Sequence, residues 1–309
     1  MTGKDSKGIS YVLFGAVALF WGLSFLVTKE ALEKLDTIEV LAVRWGISMV
    51  FFLIIGGLKL VKLDFRGKNL KKLLLVVLFQ PCTYSILECF GIDLTTATES
   101  AIIIAAVPIM VVLENLLIFR AKPGKAALFG VLIGFSGVVL CILPGAYDSE
   151  GSHVLGYLLL LGAVSAGAGY NIGTSRLSGE FSVMEISCAM AFGGGIFFNL
   201  LSIISGRGLH PYKVFLEGGA VTLELLFLGI FCGVLCYAMY NYNLGRFYST
   251  AASCIQTNSI NVVGVSAGII FLGDPWGWYT VAGLIMASLG IVICAYGTGD
   301  RAPAIDKSP

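Results

Sequence analysis

Stretches of roughly twenty predominantly apolar residues recur along this chain, separated by short polar segments. They lie near residues 9–28, 39–60, 72–91, 98–119, 126–143, 154–174, 184–205, 221–243, 250–272 and 276–297. About 20 apolar residues at ~1.5 Å rise are what a helix needs to cross a ~30 Å hydrocarbon core. Helix is the element expected at each, because an open sheet edge cannot be satisfied in lipid. The first run is longer than a signal peptide's apolar region and carries no small-residue cleavage site, so it counts as a helix. The expectation is an all-α integral membrane protein with ten transmembrane helices.

Composition strengthens that picture. Of 309 residues, 57% are hydrophobic and 13% charged, with a mean hydropathy of +0.89. A soluble domain carries roughly a quarter charged residues, so this chain has too little polar surface to solvate a globule. The net charge of +1 and the lack of a basic amphipathic tract give no footprint for nucleic acid. The eight cysteines all fall in apolar runs and form no CxxC, so they read as small hydrophobes at helix contacts. The two histidines, His153 and His210, sit in separate polar loops. A His-based metal site or a Ser-His-Asp triad lacks its material, and no cofactor or metal is implied.

Charge orients the helices. With an even number of spans and both termini inside, fifteen of the twenty Lys and Arg fall on inner loops and tails, from Lys4 and Lys7 through the cluster at 59–72 to Arg301 and Lys307. Lys29, Lys34, Arg207 and Lys213 fall outside, and Arg44 lies within a span. Cytoplasmic loops show this bias, so the expectation is a cell (plasma or inner) membrane protein with both termini cytoplasmic.

The chain also repeats itself. Gly130, Gly137 and Cys141 return as Gly283, Gly290 and Cys294, and Ser100 returns as Ser253. Near the start, Gly15, Gly22 and Lys29 align with Gly162, Gly169 and Arg176. Ordered matches at nearly one offset predict a duplicated five-helix unit. Five crossings reverse the entry side, so the two copies must be inverted repeats, an architecture that builds alternating access. The predicted division is a tail at 1–8, a first repeat at 9–145, an external linker at 146–153, a second repeat at 154–297 and a cytoplasmic tail at 298–309. Small residues on one face, as at Gly130, Gly134 and Gly137, let membrane helices approach closely.

Certain residues resemble a known family. Trp21-Gly22-Leu23-Ser24-Phe25 late in the first predicted helix, Glu39 and Arg44-Trp45 in the second, Pro108 in the fourth and the Gly-x6-Gly pattern closing each half are similar to EamA-type transporters. These belong to the drug/metabolite transporter superfamily, and the resemblance covers nearly the whole chain. It implies ten helices in two inverted halves, cytoplasmic termini and mostly efflux of small metabolites, amino acids among them. Where the family often has Gly-Glu-Arg, at the ends of helices 4 and 9, this chain has Ile118-Phe119-Arg120 and Gly273-Asp274-Pro275.

Polar residues inside a bilayer are costly and tend to face a cavity or one another. On the predicted ninth helix, Ser253, Gln256 and Asn261 fall in one sector with Ser249, Thr250 and Thr257, while Asn258 lies outside it. So many polar groups exceed what a packing seam requires, and a solute cavity is expected. Tyr237, Tyr240 and Asn241 share a face of the eighth helix, as do Gln80, Thr83, Tyr84 and Glu88 on the third. Glu99, Ile103, Met110 and Glu114 line up on the fourth. Trp21 and Tyr170 are further cavity candidates. Glu88 and Glu114 are the carboxylates that could couple transport to protons, with Arg120 or Lys122 placed to neutralise Glu114. Arg44, a few residues inside the second helix, is expected to snorkel outward or pair with a nearby acid, a structural role in preference to a functional one.

Without a Walker A or dinucleotide motif, the leading reading is a secondary transporter. It would move a small polar or amphipathic, amino-acid-like solute, exporting it by alternating access. Uptake or exchange by the same fold is the alternative, and proton coupling and oligomeric state stay open. A lipid-modifying membrane enzyme is the reading from another class, but it needs a cluster of acids, histidines or a nucleophile at one face, which the sequence does not offer.

Overall fold

The computed structural model describes the backbone of residues 3–118, 120, 123–148, 152–177, 179–246 and 250–298, all helices and connecting turns with no strand among them. Side chains are described within that set except at 3–11, 145–148, 152, 241, 243–246, 250–255 and 298. Nine helices among the described residues are long and apolar enough to cross a membrane. The first eight are α1 (Val12–Leu32), α2 (Thr37–Gly57), α3 (Leu70–Leu94), α4 (Ala97–Leu117), α5 (Lys125–Pro144), α6 (His153–Leu177), α7 (Val183–Ile204) and α8 (Ala220–Tyr240). Then comes α9, whose described apolar part, Gln256–Leu272, is shorter, and the ninth long helix is α10 (Trp278–Gly297). All of these begin and end within a few residues of the apolar runs, except that the helix of α9 starts at Thr250, before its described side chains.

Three helix starts share one chemistry. Asp36, Thr96 and Ser182 each accept from the backbone N–H three residues on, and Glu39, Glu99 and Glu185 reach back to the cap's own N–H. Such capping boxes satisfy donors that a helix cannot satisfy internally. At the other end of α3, Lys29 Nζ donates to the carbonyls of Ile92, Asp93 and Thr95 at 2.9, 2.8 and 2.6 Å. A cation there complements the negative end of the helix dipole.

Packing is by close backbone approach. Gly130 faces Gly290 and Cys294, while Gly137 faces Gly283 and Ala287. As the α5 numbers rise the α10 numbers fall, so the two helices run antiparallel. A Cβ added at Gly290 would lie 2.4 Å from Gly134 Cα, which explains why the small residues of the two runs occupy facing sides. Helices α2 and α7 also pair antiparallel, with Trp45 against Gly194, Met49 against Gly195, and Asn199 Nδ2 donating to the Ala42 carbonyl at 3.2 Å. Helix α6 lies along α3, with Gly156 at Thr95, Gly167 at Tyr84 and Gly173 at Val76, and α1 packs on α8 and α9. Seven described cysteines are buried; Cys254 lies outside the described side chains.

Among the described residues four of the helices are irregular, α9 at its end, where Gly268–Leu272 is π-helical. Gln80 has φ −139° and ψ 117°, which breaks α3 just before Pro81, a residue with no N–H to continue the ladder. Helix α4 is interrupted between Ile104 and Val107, next to Pro108. In α8 the segment Phe227–Cys236 is π-helical. Irregular backbone is tolerated at membrane depth only where protein surrounds it.

Polar straps close both ends of the α2–α7 pair. At one end Lys68 Nζ meets Glu185 Oε2 at 2.5 Å, and the Asp64 N–H donates to Glu185 Oε1 at 2.9 Å. The Asn69 N–H donates to Glu180 beside them. At the other end Arg207 Nε meets Asp36 Oδ2 at 2.5 Å. The interior between these straps is the natural place to look for a site.

Candidate functional site

Four helices send aromatic or polar side chains to one place between the straps. Trp21 comes from α1, Gln80, Tyr84 and Glu88 from α3, Tyr170 from α6, and Tyr237 and Tyr240 from α8. The Tyr237 ring is the hub: its centroid lies 5.0 Å from Trp21 and 6.2 Å from Tyr170, both edge-on. Trp21 is 5.2 Å from Tyr240. Edge-to-face geometry is the favourable arrangement for such rings.

Hydrogen bonds tie the rings to the polar groups. Gln80 Nε2 donates to the Tyr237 hydroxyl, and the break in α3 is what frees Gln80 from a helical position. The Tyr84 hydroxyl donates to Glu88 Oε1 at 2.8 Å. The Tyr240 hydroxyl donates to Asn171 Oδ1 at 3.4 Å, and Trp21 Nε1 donates to the Cys232 carbonyl at 3.3 Å. Gln80, Glu88, Tyr170 and Tyr237 are buried, while Trp21, Tyr84 and Tyr240 are half-buried.

Six residues singled out from the sequence, Trp21, Gln80, Tyr84, Tyr170, Tyr237 and Tyr240, therefore fall in one region: all but Tyr84 are linked by ring contacts or a hydrogen bond, and Tyr84 is tied to Glu88 farther along α3. Gln256 and Asn261 do not join it. Both are buried on α9, and Gln256 Nε2 and Asn261 Nδ2 have no hydrogen-bond partner among the described residues. Asn258, outside their sector, donates to the Ser288 carbonyl of α10 at 3.5 Å. Asn241 and Ser253 lie outside the described side chains.

Several faces differ from the helical-wheel expectation. Thr83 is exposed, because the α3 break re-aims Gln80 and leaves Thr83 off the face of Tyr84 and Glu88. Glu99 serves its capping box and accepts from the Tyr157 hydroxyl at 2.6 Å. Ile103 is fully buried in a hydrophobic core. Glu114 has no ion pair to Arg120 and instead accepts from Ser165 Oγ of α6 at 2.7 Å; Lys122 lies outside the described residues. The two candidate coupling carboxylates are thus separate, one in the cluster and one beside α6.

Outside the cluster, a groove of about 470 Å³ lies between α2 and α7, lined by Phe52, Leu63, Phe65 and Phe192 among others. A second, of about 460 Å³, lies along α5 and is lined by Val131, Phe135 and Leu143. Neither is lined by a residue singled out from the sequence.

Nine described helices long and apolar enough to span a membrane, packed around a buried cluster of rings and polar groups, fit a multi-pass membrane protein. The family model for EamA-like transporters matches residues 7–143 and again 154–296. The chain belongs to the EamA-like transporter family. It is similar to "Uncharacterized transporter YcxC" of Bacillus subtilis, 26% identical over 293 residues that cover 94% of this chain and 93% of that one. It is also similar to a Salmonella typhimurium protein named "Probable amino-acid metabolite efflux pump", 22% identical over 288 residues, 91% of this chain and 93% of that one. A solved protein structure shares the fold at TM-score 0.67 and 15% identity, covering 95% of this chain and 99% of the other.

Proposed function

We propose that this chain is a secondary transporter that exports a small polar or amphipathic, amino-acid-like metabolite across the cell membrane by alternating access. The observation that carries this reading is the buried cluster of Trp21, Gln80, Tyr84, Tyr170, Tyr237 and Tyr240, to which both halves of the chain contribute. A solute held there would sit between the straps at Lys68–Glu185 and Arg207–Asp36. The amino-acid metabolite named for the Salmonella typhimurium relative supports the solute class.

In this reading ten helices form two inverted repeats, with α9 as the tenth span. Three features support it: the double family match, the antiparallel pairing of α5 with α10 and α2 with α7, and the reciprocal packing of α1 on α8 and α9 and of α6 on α3 and α4. Such symmetry lets the halves exchange conformations about a central site.

Flux of labelled amino acids into and out of proteoliposomes, with and without a pH gradient, tests the function. Export-direction flux of at least one of them is expected, and none across the set would overturn the reading. Orientation is tested separately by single cysteines on a cysteine-free background. Positions 68 and 71 should label only after permeabilisation, and 150 and 213 in intact cells. External labelling at 68 would reverse the assignment.

Coupling is read from the two carboxylates. Glu88→Gln should abolish accumulation driven by a pH gradient, because Glu88 lies inside the cluster. Glu114→Gln should leave coupling unchanged, since an amide oxygen still accepts from Ser165. If both variants accumulate solute like the wild type, neither carboxylate is the coupling group.

A further inference from the structure

Arg44 has the chemistry of a ligand-binding group, and among the described residues it makes no ion pair of the kind that holds a structural arginine. It lies within α2, 7% exposed, with its guanidinium 5.8 Å from the centre of the Trp45 ring. Its Nε is buried without a hydrogen-bond partner, and no carboxylate among the described residues comes within 4.0 Å of it. The groups that would satisfy a structural arginine are used elsewhere. The Ser48 hydroxyl lies 2.8 Å from the Gly229 carbonyl and 3.1 Å from Arg44's own carbonyl. Glu88 takes its hydrogen bond from Tyr84. Trp45, the next residue, shares one buried core with Cys89, Tyr170, Cys232 and Tyr237, and α2 packs there against both α3 and α8, which puts Arg44 at the level of the cluster.

A guanidinium stays charged at any physiological pH, and burying it unpaired is strongly unfavourable unless something completes it. We propose that Arg44 binds the carboxylate of a zwitterionic solute while Glu88 binds its ammonium group. The solute's side chain would then lie against Trp21, Tyr170, Tyr237 and Tyr240. This rests on the transporter reading of the cluster and names the substrate class within it.

Charge balance selects the zwitterion. Arg44 and Glu88 together are neutral, so a solute with one positive and one negative group leaves the desolvated cluster neutral. A simple amine or a simple carboxylate would leave one uncompensated charge, and a phosphate dianion would leave two. The planar guanidinium fork also suits a carboxylate, which it can grip through two parallel hydrogen bonds.

The test uses the full-length protein in nanodiscs and reads binding by thermal shift and intrinsic tryptophan fluorescence. The probes are the proteinogenic L-amino acids, each with its decarboxylated amine and its deaminated acid. At least one amino acid should bind the wild type about tenfold or more tighter than both analogues. Arg44→Gln should erase the advantage over the amine while leaving the amine's own affinity nearly unchanged. Glu88→Gln should erase the advantage over the acid. Arg44→Lys keeps the charge and should retain part of the preference, which covers the case in which Arg44→Gln does not fold. The proposal is overturned if no amino acid binds, if wild type holds an amine as tightly as its amino acid, or if Arg44→Gln keeps the full preference. Proteoliposome flux separates this from the parent reading. Selective binding without flux would sink the transporter, whereas flux of solutes lacking a carboxylate, with no amino-acid binding, would sink only the zwitterion site.

Discussion

Gly290→Val is expected to abolish a monodisperse, folded protein. The Cβ that any side chain brings would sit 2.4 Å from the Cα and N of Gly134 and 2.8 Å from the Gly130 carbonyl oxygen. All three are backbone atoms, so no side-chain rotation relieves the clash and α5 must move away from α10. Overpacking a tight core costs ~1–3 kcal/mol where side chains can yield, and here they cannot. Separating the helices also forfeits dispersion contacts along the whole seam, in a solvent where packing replaces the hydrophobic drive. Gly15→Val is the matched control, because nothing lies within 4 Å of a Cβ there. Size-exclusion profiles and thermal melts in detergent read the difference. Equal stability of the two variants would show that the seam is not closed as described.

Tyr237→Ala should lower transport by at least about tenfold while the protein still expresses and runs as one species. The ring touches Trp21 and Tyr170 and its hydroxyl accepts from Gln80, so truncation opens the wall between the two halves. Tyr237→Phe isolates the hydroxyl. It keeps the ring stack but leaves the Gln80 amide unpaired, a cost of about 1–3 kcal/mol, and should fall between wild type and Ala in activity. Gln256→Leu provides the contrast on α9. Its amide Nε2 is already buried without a partner, so losing it costs little stability, and transport should fall only if α9 meets solute. Wild-type flux in Tyr237→Ala would dismiss the aromatic cluster as the solute site. Wild-type flux or misfolding in Gln256→Leu would make the α9 stripe a packing seam.

Nine long helices follow the apolar runs closely because spanning a membrane is a local demand. Each run must by itself supply enough apolar residues and satisfy its own backbone. The capping boxes at Asp36, Thr96 and Ser182 are equally local, since cap and partner lie three residues apart. The close-packed glycines were legible as well: their spacing marks a face, and a face of small residues in lipid has few uses other than contact. Their antiparallel register against α10 needed the structure.

The site divides differently. That Trp21, Gln80, Tyr84, Tyr170, Tyr237 and Tyr240 carry polar or amphipathic groups inside spans could be read one helix at a time. Which of them meet could not, because Gln80 and Tyr237 are joined across two helices far apart in the chain. A helical wheel assumes unbroken 100° steps, and the break at Gln80 invalidates it there, which is why Thr83 falls outside the cluster. Pro81 was the available signal for that break. For Glu114 the sequence left a proton-coupling role and a salt bridge to Arg120 or Lys122 both open, and the tertiary structure supplies Ser165 from α6 as a partner that adjacency along the chain could not show. Arg44 shows the division most sharply. Its sequence marks a costly charge within a span, but only the arrangement of neighbouring helices decides that no carboxylate among the described residues reaches it, because a counter-ion is provided by packing rather than by adjacency along the chain.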